Sequence, residues 1–164
     1  MSVDMFMKIK GVKSGDIKGE SRDAKGHREE IDVLKWNWGM SAPVDASTAQ
    51  RSGKTQVHNF TFTKHIDKAS AILVNAILTN EELEATLTCR RLGVTGGEPV
   101  EFQIIKFEKA MVSKISRSVE HDDERLTEDV TLTFVKFTEN YKEITLDGKV
   151  GAQPSASYDL RINK

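Results

Sequence analysis

Four consecutive side chains, His121-Asp122-Asp123-Glu124, set an imidazole and three carboxylates in a row, groups able to hold a cation or to pass a proton. Metal sites draw their ligands from separated positions around a shaped cavity, and no EF-hand spacing is present here, so the plainer reading is a solvated turn between strands. Arg51-Ser52-Gly53-Lys54-Thr55 ends like a phosphate-binding loop. The full pattern needs glycine where Thr48 stands, and a helix afterwards to aim its amino-terminal dipole at phosphate; the residues after Thr55 alternate like a strand instead. His58 and His65 have no serine, cysteine or carboxylate at a spacing that would define a triad. Triads are recognised by geometry and not by spacing, so a hydrolase using His58 or His121 stands as the lesser alternative, and packing or capping is the expected role of a histidine in these positions. His27, in a polar stretch, is expected to be exposed. Trp36 and Trp38 flank Asn37 beside Lys35 in the manner of a base-stacking platform, but Glu29, Glu30 and Asp32 oppose the basic groove that such a platform requires. The single cysteine, Cys89, excludes an intrachain disulfide and a multi-cysteine metal site, and is expected in the core.

The chain is of a length that folds as one domain, here residues 1–164, with enough buried surface to need no staples. Its 24 basic and 25 acidic residues give a net charge of -1, which lacks the positive field of sequence-independent nucleic-acid binding. No apolar run is long enough to span a membrane, and the amino terminus does not read as a secretory signal, so synthesis and folding in the cytoplasm are expected.

The elements that must position these residues are mostly strands. Residues 5–12 alternate Met5, Met7 and Ile9 with Lys8 and Lys10, and a polar loop over residues 13–29 comes next. In the strand after it, alternation puts Leu34, Trp36, Trp38 and Met40 on one side, with Lys35 and Asn37 on the other. Residues 41–55 carry no hydrophobic period and read as a second long loop, the kind usually kept for function. His58, Phe60 and Phe62 then alternate with Val57, Asn59, Thr61 and Thr63. From Ile66 to Thr79 the apolar residues recur at three and four, which predicts the one helix, with Asp67 in its first turn. Residues 85–92 and a strand through Val100, Phe102 and Ile104 form a hairpin around the turn residues 93–99. Further strands are expected over 110–119, 129–138 and 158–163. The sum is about eight strands and one flanking helix, a mainly β (α+β) antiparallel barrel with Trp36, Trp38, Phe60 and Phe62 as core anchors. A monomeric β-barrel binding a small ligand is the other alternative function. The residues point to no cofactor and no metal.

The opening "MSVDMFMKIKGVKSGDIKGES", the block "REEIDVLKWNWGMS", the junction "NFTFTKHIDKAS" and the late "RLTEDVTLTF" resemble, in the same order, the haemolysin-coregulated protein family, the Hcp tube proteins of bacterial type VI secretion. The resemblance runs through nearly the whole chain. It implies a tight barrel assembled as a hexameric ring, with rings stacked into a hollow tube like a phage tail tube. The implied partners are a trimeric spike of the valine-glycine-repeat family, a contractile sheath, and small effector toxins held inside the ring, with export that needs no cleavable signal. Some family members carry a toxin domain after the tube domain, and this chain ends soon after "YDLRINK", which implies a structural carrier without catalysis of its own. Ring closure would turn the polar strand faces to a water-filled bore, making Lys35, Asn37, Thr131 and Thr133 the candidates for contact with cargo. Ser41, Pro43, Asp45, Thr48, Arg51 and Lys54, in the long loop, are the candidates for contact between subunits.

Overall fold

The computed structural model describes residues 3–93 and 97–164. The middle of the expected hairpin turn, residues 94–96, lies outside the described residues. The chain forms strands β1 (Val3–Gly11), β2 (Gly15–Ile17), β3 (Ile31–Asn37), β4 (Met40–Ser41), β5 (Val44–Asp45), β6 (Gln50–Arg51), β7 (Gln56–Val57) and β8 (Phe60–His65). Helix α1 (Lys68–Leu78) precedes β9 (Leu83–Arg91), β10 (Val100–Ser118), β11 (Thr127–Thr133), β12 (Lys136–Tyr141) and β13 (Ser155–Asp159). The main sheet runs β11-β8-β3-β1-β9-β10-β12-β13, with β2 on β1. Because β10 also pairs with β11, six strands close into a barrel.

Closure depends on β10. Its first half pairs with β9 and β12, and its second half, from Met111, leaves β9 and pairs with β11. One long strand therefore replaces the two expected over 100–104 and 110–119. The change of partner falls where the ladder slips between Phe107 and Ala110 and Lys109 takes a left-handed φ of 49°, an irregularity of the kind that turns barrel corners. The expected strand 129–138 is likewise two: β11 ends at Thr133, and β12, from Lys136, carries the same antiparallel register on along the first half of β10. The last strand lies earlier than its apolar residues suggest; Tyr158 is half-buried, but Ile162 is beyond β13 and 63% exposed.

Alternation breaks in β3. A register slip between Val33 and Lys35 opposite β8 makes Leu34 an extra residue. Val33 and Trp36 then both face inward, whereas Leu34 and Met40 do not share the tryptophan side and are exposed. The inside of the barrel is filled: Met7, Phe60, Phe62, Leu87, Ile105 and Phe107 are fully buried. Trp36 and Trp38 are half-buried at its margin. Trp36 stacks on Phe60 at 5.8 Å between centroids, and Trp38 meets Phe137, Phe107 and Phe134 edge-on at 4.8, 5.7 and 6.1 Å. Cys89 is buried as expected.

Helix α1 lays Ala69, Leu73 and Ala76 on the sheet. Asp67 is its N-cap: the side chain accepts from the Ala69 N–H at 2.9 Å, and Ser70 Oγ accepts from the Asp67 N–H at 3.0 Å, a reciprocal box. Beneath it Lys64, wholly buried, donates to Glu128 Oε1 (2.9 Å), Ser70 Oγ (3.0 Å) and the His65 carbonyl (2.8 Å), and its ammonium forms an ion pair with Asp67 Oδ1 at 2.8 Å. Arg117 Nε donates to Glu128 Oε2 at 2.6 Å. Burial alone would push the Glu128 carboxyl up, but the donors from Ser70, Lys64 and Arg117 outweigh it and hold it below the ordinary range. This network joins the helix start to the back of β8, β11 and β10.

Candidate functional site

The strands β3, β8, β11 and the second half of β10 form a continuous four-stranded wall. One face is core: Trp36, Phe62, Val130 and Ile115 lie side by side across it. The other face, one residue out of phase, is polar. Asn37, Thr61, Thr131 and Lys114 form one row, and Lys35, Thr63, Asp129 and Ser116 the next. Thr61 and Thr131 share a hydroxyl hydrogen bond at 2.9 Å, and Thr63 Oγ1 donates to Asp129 Oδ1 at 2.5 Å. Thr133 stands two residues along β11 on the same side, with its hydroxyl 3.5 Å from the Met111 carbonyl. The structure thus brings Lys35, Asn37, Thr131 and Thr133 onto one surface.

Five members of that surface, Thr61, Thr63, Asp129, Lys114 and Ser116, escaped the sequence reading as candidates. Thr61 and Thr63 were legible, since they alternate with Phe60 and Phe62. Lys114 and Ser116 were hidden because β10 slips register between Val112 and Lys114 and shifts the phase of everything after it.

Both outer strands of the wall have an open side. Pairing of β3 with β1 stops at Asp32, and from Val33 onward β3 pairs only with β8; β10 beyond Ala110 pairs only with β11. Three antiparallel steps separate β3 from β10, so the two edges run in opposite directions.

The expected loop 41–55 is a ribbon. Met40–Ser41 pairs with Gln56–Val57, and Val44–Asp45 with Gln50–Arg51. Asp45 organises the tip, accepting from the Ser47 N–H at 2.8 Å while its carbonyl accepts from the Ala49 N–H at 2.8 Å. Arg51 clips the far strand, donating to the Gly53 carbonyl at 2.9 Å and to Thr55 Oγ1. Ser41, Pro43, Asp45, Thr48, Arg51 and Lys54 are all exposed on it. Gly53-Lys54-Thr55 leads into β7 and not into a helix.

The histidines are separated. His58 is exposed, with Nε2 3.5 Å from Ser41 Oγ, and His121 sits in an exposed turn. His65 is half-buried, and its Nδ1 has no partner among the described residues. His27 differs from expectation: it is 7% exposed, stacked on Phe6 at 4.4 Å and held between Glu30 and Glu101. A long polar loop looks solvated in sequence, and only its return across the sheet buries this ring. Among the described residues no group of three or more His, Cys, Asp and Glu side chains is placed to hold a metal ion, and no helix is long and apolar enough to cross a membrane.

A family model described as "Type VI secretion system effector, Hcp" matches residues 6–141. Protein hcp1 of Pseudomonas aeruginosa is 40% identical over 167 residues, an alignment that covers 99% of this chain and 98% of the relative. Among solved structures, Hcp1 from Salmonella typhimurium superposes with a TM-score of 0.76 at 30% identity, covering 100% of this chain and 99% of that one. A type six secretion system protein superposes with a TM-score of 0.84 at 25% identity, covering 99% of each.

Proposed function

Because the chain belongs to the Hcp family of type VI secretion proteins, we propose that it is a tube subunit and effector carrier. Hcp is a structural, secreted tube family and not a known enzyme family. In this reading the whole chain acts as one tube domain, assembles as hexameric rings, and the rings stack. Small effectors ride in the bore, a valine-glycine-repeat spike caps the tube, and a contracting sheath drives it out without a cleavable signal. The protein catalyses nothing itself.

The observation that carries the ring is the pair of open edges on the four-stranded wall. Copies related by rotation keep their strands in the same sense, so β3 of one copy runs antiparallel to β10 of its neighbour, and edge-to-edge pairing continues the ladder around a circle. A heterologous contact of this kind closes on itself and leaves no exposed edge in the wall. The core face of each wall is already covered by its own barrel, so the hydroxyl-rich face of Asn37, Thr61, Thr131 and Thr133 is the one left to line a bore. Many weak polar contacts suit a cargo that has to be released.

The ribbon supports the same reading. A two-stranded hairpin is at best marginally stable alone in water, and this one shows few contacts with the core. Seated on a neighbouring subunit, it gains the packing it lacks.

The test is mass. The purified chain is expected to scatter light as a particle several times 18.4 kDa. Leu34→Lys, at the exposed extra residue on the open edge of β3, is expected to give a folded monomer, because charge on an edge strand blocks pairing. A wild-type monomer overturns the proposal, and a Leu34→Lys variant that still forms rings overturns the choice of edge.

A further inference from the structure

Residues 18–30 have no regular structure, yet they form a fixed strap along β3. Gly19 approaches β3 so closely that a Cβ there would stand 2.5 Å from the Glu30 carbonyl oxygen and 2.7 Å from the Ile31 Cα. The Gly19 N–H donates to the Glu29 carbonyl at 2.8 Å, and the Ser21 N–H to the Glu30 carbonyl at 3.0 Å. His27, its ring nitrogens 2.8 Å from Glu30 Oε2 and 3.0 Å from Glu101 Oε1, is a second pin. The third is Arg90, whose guanidinium donates to both oxygens of Asp23 at 2.6 and 3.1 Å. Between this strap, the start of α1 and Arg125 lies an open polar groove of about 980 Å³.

Its charges are unequally committed. Asp23 is taken by Arg90, which holds its carboxyl far below the usual carboxylate range. Glu29 is bonded to Lys18 at 2.9 Å, with Lys68 at 3.7 Å, and Glu20 accepts from the Lys68 N–H at 3.1 Å. Arg22, Arg28 and Arg125 line the same groove, and none has a hydrogen-bond or ion-pair partner among the described residues; Asp32 is the one acidic lining residue equally free. Three guanidinium groups without an anionic partner outnumber the two lining carboxylates without a cation, Asp32 and Glu20, and on a backbone already pinned they make a preorganised anion-binding subsite.

We propose that this groove binds an acidic peptide segment of a partner protein, with Arg22, Arg28 and Arg125 taking its carboxylates. Guanidinium groups fork carboxylates in pairs of parallel hydrogen bonds, and an open groove of this size fits an extended chain better than a small anion. The site is separate from the polar wall face and the ribbon. Asp32, at the start of β3, lines the groove, whereas the ribbon leaves from the other end of that strand.

The experiment is fluorescence anisotropy at low salt, using the full chain in its native assembly and a fluorescein-labelled dodecapeptide of alternating Glu and Gly. The triple variant R22Q/R28Q/R125Q is expected to bind it about tenfold or more weakly, as loss of charge-assisted bonds requires. K10Q/K13Q/K109Q, altered at exposed lysines outside the groove, is expected to match wild type, and a Lys-Gly peptide is expected to bind neither. Unchanged binding by the arginine triple overturns the assignment, as does equal loss in the lysine triple, which would mean a general surface field. Binding only while the protein is monomeric also overturns it, since the groove would then be a seam between copies.

Discussion

Lys64→Met is the substitution with the largest expected cost. It keeps the length of a side chain that is 0% exposed and removes its charge and all of its donors. Glu128, also fully buried, would keep Ser70 Oγ at 2.7 Å and Arg117 Nε at 2.6 Å but lose its one buried cation. Asp67 would lose the lysine 2.8 Å from its carboxylate. Breaking a buried pair from one side costs about 3–5 kcal/mol, and the two donors left to Glu128 place this case near about 3. That is a large share of the roughly 5–15 kcal/mol by which a domain of this kind is stable. The assay is guanidinium denaturation of Lys64→Met, Glu128→Met and the double variant. The double variant should be more stable than the sum of the single costs implies, with a coupling of about 1–3 kcal/mol. The pH dependence has a definite sign. The Glu128 carboxyl lies below its ordinary 4.5, so its contribution is present above that value and disappears as pH falls, and the Lys64→Met penalty should shrink in acid. A single-variant cost under about 1 kcal/mol, or strictly additive costs, would refute the view that this network ties α1 to the wall.

Trp38→Ala removes the edge-on contacts with Phe107, Phe134 and Phe137 and should cost about 3 kcal/mol in the same assay, below the figure for a fully enclosed ring. Arg161 holds the Asp159 carboxyl down to about 2, so the anchorage of β13 should persist through mild acid and be lost as pH falls from the ordinary aspartate value of 3.8 towards 2; amide exchange along Ser155–Asp159 reads it, and Arg161→Gln should move the loss to higher pH. Deleting residues 44–53 should leave a folded chain that no longer assembles, and an unchanged particle mass by light scattering would rule that out. Asn37→Arg should leave rings intact while lowering the amount of cargo that co-purifies; disappearance of the rings would show that this position serves assembly and not the bore.

Period-two alternation made most of the barrel legible, because each strand has one face in the core: Phe60 and Phe62 against Thr61 and Thr63 needed nothing more than spacing. The helix was legible for the same reason at its own period, although Asp67 proved to be the cap and not a first-turn residue. Spacing could not show where alternation breaks. The slips at Val33/Lys35 and Val112/Lys114 depend on how a strand bends to meet its partner, a tertiary demand that leaves no mark on local composition. Leu34, Lys114 and Ser116 were misplaced or missed on that account; Met40 was misplaced because β3 ends at Asn37 and the chain leaves it for the ribbon. The strap was unreadable for another reason. His27 and Asp23 are polar residues in a glycine-bearing stretch, and their burial comes from Phe6, Arg90 and Glu101 on other strands. The ribbon is the converse, since its composition is that of a loop and its short pairings are made by Asp45 and Arg51 locally.

Copies of this chain are proposed to join through the open edges of β3 and β10 into a ring whose bore is the threonine face. Negative-stain electron microscopy of the purified full chain tests that most directly. Closed rings with a stain-filled centre are predicted for the wild-type chain, and none for Leu34→Lys. Solid particles of single-subunit size from the wild-type chain would contradict it.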